Sequence, residues 1–231
     1  MKRLVTALIA AVLAGCTAPP QTAVTVLAAA SLAEAFGTIA SSDVAYSFAG
    51  SQQLVAQVEA GAPADVVATA DAEAMDRLVR AGLVDGPTDF ARNRRAIAVA
   101  PGNPRRITGL RDLAGAGLRV VLADPAVPAG RYAEEVLARA GVRVRPVSLE
   151  LDVKAVARKV ESGEADAALV YATDVTPPSR VEIPNAANVV ATYPVAVVRA
   201  TANREDAQAF VDRLLGPAGR QALADRGFLL P

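Results

Sequence analysis

Histidine is absent from all 231 residues. Without an imidazole the chain cannot run Ser-His-Asp or Cys-His catalysis, cannot carry an HExxH metalloprotease motif, and has no imidazole to ligate a metal. Cysteine occurs once and tryptophan not at all. One cysteine closes no intrachain disulfide and builds no cysteine zinc site. Four tyrosines and no tryptophan make a poor stacking platform for sugars or bases. An excess of charge is missing too: 24 Lys+Arg balance 24 Asp+Glu, so no basic field is available to hold nucleic acid or a membrane surface electrostatically.

What is present is apolar. With 52% hydrophobic against 21% charged residues, the chain can bury one large core or two small ones, and its composition is that of a globular protein.

The amino terminus carries Lys2 and Arg3, the apolar run Leu4 to Leu13, and the small residues Ala14 and Gly15. This pattern predicts a secretory signal peptide over residues 1–15; the run is too short to span a bilayer comfortably. Leu13-Ala14-Gly15-Cys16 resembles the lipobox of bacterial lipoproteins, whose cysteine is lipidated and becomes the first residue. The alternative is a chance cysteine beside an ordinary cleavage site. Residues 16–22, with Pro19 and Pro20, then form a polar extended tether to the membrane. Cleavage after Gly15 leaves 22 basic against 24 acidic side chains, a mildly acidic body.

From Val24 onward, short β-branched runs alternate with longer Ala-rich stretches of helical period. Strands are expected at 24–28, 44–48, 66–69, 119–123, 142–147 and 167–171, and helices at 31–40, 51–60, 71–81, 129–140, 153–162 and 205–215. This alternation implies an α/β architecture with parallel sheets covered on both faces. Two further runs, Ala96 to Ala100 and Val189 to Arg199, break the alternation and read as paired crossover strands. Residues 23–100 plus 190–231 then form lobe 1 and residues 101–189 form lobe 2, joined by a hinge. One continuous doubly wound sheet is the alternative.

In a parallel α/β sheet the ligand site lies beyond the carboxyl ends of the strands, where the next helices begin. Ser31 and Ser51 stand at two such junctions, Pro125 to Gly130 at a third, and Asp152-Val153 at a fourth. A helix start offers unpaired N–H groups and a partial positive charge, so an anion can be held there without a cationic side chain. Pro128 cannot donate but fixes the chain ahead of Ala129, and Gly50 permits a close approach at Ser51. Taken singly, Ser31, Ser51 and Asp152 read as ordinary helix caps, and Tyr171 equally as a core aromatic.

The stretches Val26 to Leu32, Ser47 to Ser51, Glu59 to Val66, Asp124 to Gly130, Gly163 to Tyr171, Tyr193 to Val197 and Gly227-Phe228 together resemble the molybdate-binding proteins of bacterial molybdate ABC transporters. The resemblance runs in the family's order over almost all of the mature chain. It implies a bilobed type II periplasmic-binding-protein fold, with no catalytic activity and no cofactor, that closes on molybdate or tungstate. It further implies ligand donors at Ser31, Ser51, Ala129, Val153 and Tyr171, permease subunits as partners, an extracytoplasmic location and a monomeric state. The linker at 40–43 is shorter than the family pattern. Arg131 and Lys154, beside Ala129-Gly130 and Val153, either point to solvent or lean over the pocket.

Other classes fit less well. The same fold tuned to another oxyanion, such as sulfate, is the nearest. A lipid-anchored enzyme would have to use Ser51 as nucleophile, or Glu134-Glu135 or Glu150/Asp152 as acid and base, yet no base attends Ser51 and no GxSxG surrounds it. Gly115-Ala116-Gly117 lacks the third glycine of a dinucleotide turn. Asp166 and Asp174 lack EF-hand spacing.

Overall fold

The computed structural model describes residues 23–39 and 43–231. The expected signal peptide, Cys16, the tether and linker residues 40–42 lie outside the described residues. Among the described residues, no helix is long and apolar enough to cross a membrane.

The first lobe starts with β1 (Val24–Ala29), whose VTVLAA run is almost wholly buried, as a strand covered on both faces must be. A short 3₁₀ turn, Ala30–Leu32, leads into α1 (Ala33–Ile39); the helix expected to begin at Ser31 therefore begins two residues later. There follow β2 (Val44–Ala49), α2 (Ser51–Glu59), β3 (Val66–Ala68), α3 (Ala72–Arg80) and β4 (Thr88–Asn93). The second lobe holds β5 (Arg95–Val99), β6 (Val120–Ala123), α4 (Pro128–Ala140), β7 (Ser148–Glu150), α5 (Val153–Glu161), β8 (Ala167–Tyr171) and β9 (Arg180–Glu182). The chain then returns to lobe 1 for β10 (Ala191–Val197), α6 (Arg204–Leu215) and α7 (Pro217–Asp225). Helical periodicity builds these elements in the ordinary way: Val153, Val156, Ala157 and Val160 form the buried stripe of α5.

Each lobe has one five-stranded sheet, in the orders β2-β1-β3-β10-β4 and β7-β6-β8-β5-β9. The sheets are mixed instead of wholly parallel. β10 runs antiparallel to both β3 and β4, and β5 antiparallel to both β8 and β9. The physical reason is the crossover itself. A strand arriving from the opposite lobe enters its new sheet from the shared face and must run away from it, against its neighbours. Because β4 pairs in the first sheet and β5 in the second, the chain changes lobe at Arg94 and not near residue 100, which corrects the expected boundary. The return lies between β9 and β10.

The expected strand at 142–147 is displaced. Pro146 has no N–H for the ladder with β6, so pairing starts at Ser148. Pro194 sits inside β10, where the register shifts between Tyr193 and Pro194 to accommodate it. Two apolar clusters lie within single lobes, one in lobe 1 around Leu54, Val67 and Leu78 and one in lobe 2 around Ile97, Val136 and Leu169. The third runs from Val26 and Leu32 in lobe 1 through Val127, Ala129 and Val153 to Val170 and Tyr171 in lobe 2. The lobes are thus packed on one another.

Candidate functional site

The carboxyl ends of β1, β2, β3, β6, β7 and β8 meet between the lobes. They enclose a cavity of ≈ 10 Å³, lined from lobe 1 by Ser31, Gly50, Ser51 and Ala70 and from lobe 2 by Pro128, Ala129, Asp152, Val153 and Tyr171, among others. By volume it is about one water's worth of space. Ser31, Ser51, Ala129, Val153 and Tyr171, distant in sequence, all stand on its wall.

The helix starts supply the backbone donors. Ser51 and Val153 are the first residues of α2 and α5, and Ala129 is the second of α4, positions whose N–H groups have no acceptor within the helix. Two glycines let the elements come this close. A Cβ on Gly130 would lie 2.0 Å from the Asp124 carbonyl oxygen, within lobe 2. One on Gly50 would lie 2.6 Å from the Leu151 carbonyl oxygen, in the opposite lobe.

The hydroxyls differ in how they are held. Ser51 is not the cap of α2, a place taken by Gly50; its Oγ instead accepts the Ala70 N–H at 3.0 Å, which leaves its own proton free to donate. Ser31 is no cap either, and its Oγ lies 3.1 Å from the Tyr193 hydroxyl. Asp152 does cap its helix, accepting the Ala155 N–H at 2.8 Å. Tyr171 is buried, and its hydroxyl meets no partner in hydrogen-bond geometry, although the Tyr193 hydroxyl is near enough to act on it. Burial pushes the Tyr171 hydroxyl above the usual tyrosine range, so it stays an O–H donor.

No cationic side chain lines the cavity. Arg131 reaches across to lobe 1, where it pairs with Asp71 and, at 3.2 Å, with Glu73. Lys154 spans the lobes as well, 2.6 Å from Glu34, and it also lies 3.1 Å from Asp174 within its own lobe. Burial works against the Lys154 charge, but Asp174 and Glu34 outweigh it and hold the ammonium above its ordinary range. Burial raises Asp174, against the pull of Lys154. A third bridge runs from Gln52 Nε2 to the Leu151 carbonyl at 3.0 Å.

The alternative acid-base candidates are engaged elsewhere. Glu135 pairs with Arg139 on the surface of α4, and Glu150 with Lys159, while Asp152 caps α5; Asp166, weighed above only for calcium, pairs with Arg119. Among the described residues no group of three or more Cys, Asp and Glu side chains could hold a metal ion. Reading from the sequence missed Ala70, which orients Ser51, and Tyr193, which meets Ser31. Ala70 follows β3 and was open to the same strand-end rule. Tyr193 gave no local signal, because it reaches Ser31 only through the antiparallel return of β10.

The model for the bacterial extracellular solute-binding proteins matches residues 23–229. The molybdate-binding protein ModA of Mycobacterium tuberculosis (strain H37Rv) is 41% identical over 90% of this chain and 85% of its own length. ModA of Escherichia coli K12 is 33% identical over 90% and 89%. Among solved structures, the periplasmic molybdate-binding protein of Azotobacter vinelandii superposes with a TM-score of 0.81 at 20% identity, covering 90% of this chain and 99% of that one. With that match spanning both lobes and the cavity between them, the chain belongs to the bacterial extracellular solute-binding proteins.

Proposed function

We propose that this protein captures molybdate, and tungstate with it, outside the cytoplasm and delivers it to the permease of an ABC transporter, the oxyanion being held by Ser31, Ser51, Ala129, Val153 and Tyr171. The observation that carries this reading is the buried, unpartnered Tyr171 hydroxyl on a cavity where helix starts from both lobes converge and no cation intrudes. An ionised tetrahedral dianion accepts hydrogen bonds on every face and donates none. Neutral donors in aligned positions offset its lost hydration. Phosphate near neutral pH still carries a proton, and a wall of donors leaves that O–H unpaired. Donors from two lobes mean that the anion bridges them and stabilises the closed form, which a transporter reads as shape.

The remaining assignments follow from the same reading. The two lobes act as the moving bodies, the chain works as a monomer, and a lipid on Cys16 holds it to the membrane, each buried CH₂ of the acyl chain contributing about 0.8 kcal/mol. The same fold tuned to sulfate, another fully ionised tetrahedral dianion, is the second reading.

Titration calorimetry across molybdate, tungstate, sulfate and phosphate tests the proposal. Tight binding of the first two and weak or absent heats for the others is expected. No molybdate heat, or phosphate bound as tightly, overturns it, and tighter sulfate than molybdate installs the second reading.

A further inference from the structure

Arg95 opens β5 one residue after the chain leaves the first sheet, and it is fully enclosed. Asn188 grips its backbone on both sides: Oδ1 accepts the Arg95 N–H at 2.9 Å, and Nδ2 donates to the Arg95 carbonyl at 3.0 Å. The side chain runs beneath the cavity. Nη2 donates to the Ala129 carbonyl at 3.0 Å and reaches the Leu169 carbonyl at 3.4 Å, and Cζ lies 4.1 Å from the centre of the Tyr171 ring. Nε and Nη1 have no hydrogen-bond partner.

A guanidinium keeps its charge inside a protein, and burying one with unpaired N–H groups and no carboxylate of its own is destabilising. The carboxylate that acts on Arg95 is Asp174, which already forms an ion pair with Lys154 at 3.1 Å and accepts the Tyr171 N–H at 3.1 Å. Asp152 lines the cavity but is spent on capping α5. Replacing such a cation with an apolar side chain would relieve the fold, so its presence points to an anion that arrives from outside.

We infer that Arg95 is the buried counter-charge of the oxyanion site: a positioning residue that, behind Ala129 and Tyr171 and without touching the ligand, makes the site select dianions over monoanions. The inference rests on the oxyanion reading above. It adds that the neutral wall is backed by one full charge, felt through the low-dielectric layer of Tyr171 and the first turn of α4. The edge of the Tyr171 ring, polarised by the cation beneath its face, is also a stronger donor at the hydroxyl.

The test compares Arg95→Met, which keeps length and removes charge, with Arg95→Lys, which keeps charge. The probes are molybdate and perrhenate, tetrahedral oxyanions of similar size with two and one negative charges. Coulomb energy scales with ligand charge, so R95M is expected to lose about 100-fold for molybdate but only about 10-fold for perrhenate. R95K is expected to restore most of the molybdate affinity, and ligand-free R95M to unfold at the same or a higher temperature than wild type. If R95M fails to fold, Arg95→Gln carries the same comparison. Equal losses for both anions, unchanged affinity for both, or a lowered unfolding temperature with the molybdate-to-perrhenate ratio intact each reduce Arg95 to packing and overturn the inference. Wild-type protein that ignores molybdate takes down the oxyanion reading, and Arg95 with it.

Discussion

The two lobes share one sheet plan, with the reversed strand fourth in each, yet they furnish the cavity differently. Lobe 1 brings two hydroxyls that are already tied within the lobe, Ser51 to the Ala70 N–H and Ser31 to the Tyr193 hydroxyl. Lobe 2 brings the untied hydroxyl of Tyr171, the helix starts at Ala129 and Val153, and behind them the charged set of Arg95, Lys154 and Asp174. In the proposed site, lobe 1 hydroxyls are therefore oriented before any ligand arrives. The donors of lobe 2 are left waiting. Fold symmetry provides two facing sets of strand ends, and local residues decide which set fixes geometry and which gains most from occupancy.

The largest contrast available is between the two glycines. Gly130→Ala drives a Cβ into backbone of its own lobe and is expected to lower unfolding stability by about 3 kcal/mol or more, read by denaturant titration. Gly50→Ala meets backbone only across the cleft, at the Leu151 carbonyl. The ligand-free protein should unfold as wild type while molybdate affinity drops by about 1–3 kcal/mol in calorimetry. If G50A instead destabilises the empty protein as G130A does, the lobes are welded together without ligand and the hinge is wrong.

Tied and untied hydroxyls separate next. Ser51→Ala and Tyr171→Phe should each weaken molybdate binding by about 1–3 kcal/mol. Only S51A should also lower stability, by about 1 kcal/mol, because it orphans the Ala70 N–H. Y171F removes a buried hydroxyl that had no partner, so its unfolding midpoint should hold or rise. Equal stability losses in the two variants would erase the difference between the lobes.

Cross-lobe ion pairs come lower. Arg131→Ala removes a half-exposed partner of Asp71, whose other oxygen keeps the Ala74 N–H at 3.0 Å. A molybdate affinity loss of about 0.2–1 kcal/mol is expected at low salt, shrinking as salt is added. A loss that ignores salt would mean that Arg131 acts by shape instead of charge.

These contrasts bear on what a sequence can disclose. The strand-helix alternation and the strand-end rule point to the junctions at Ser31, Ser51, Pro125 to Gly130 and Asp152-Val153 because each is local: a strand, a small residue, a helix start; the choice of Ala129, Val153 and Tyr171 as donors rests on the family resemblance. Two mixed sheets and the crossover at Arg94 were not legible, since β4 is largely polar, β9 is only three residues long, and their pairing is decided by partners far along the chain. Arg95 was hidden for the same reason. In sequence it is one of three arginines around Asn93, at 92, 94 and 95, and nothing local says which one the second sheet will swallow. Arg131 and Lys154 looked ambiguous because their carboxylate partners, Asp71 and Glu34, lie in the opposite lobe.

The smallest expected effect concerns pH. Amides and serine hydroxyls do not titrate, and the chain has no histidine. Tyr171 is the titrating donor on the cavity wall, and burial raises it from the ordinary 10.0. Its proton is present below that raised value and lost only as pH climbs through it, so molybdate affinity should stay flat between pH about 7 and 9. On the acid side the responding group is Asp174, which burial raises from 3.8 against the pull of Lys154. Its protonation removes a negative charge next to the Tyr171 backbone, so affinity should rise slightly on acidification while the ligand itself remains fully ionised. Asp174→Asn should flatten that acid rise and leave the alkaline limb alone. A decline beginning near pH 7 would instead place the titrating group outside lobe 2's buried set and break the division of labour between the lobes.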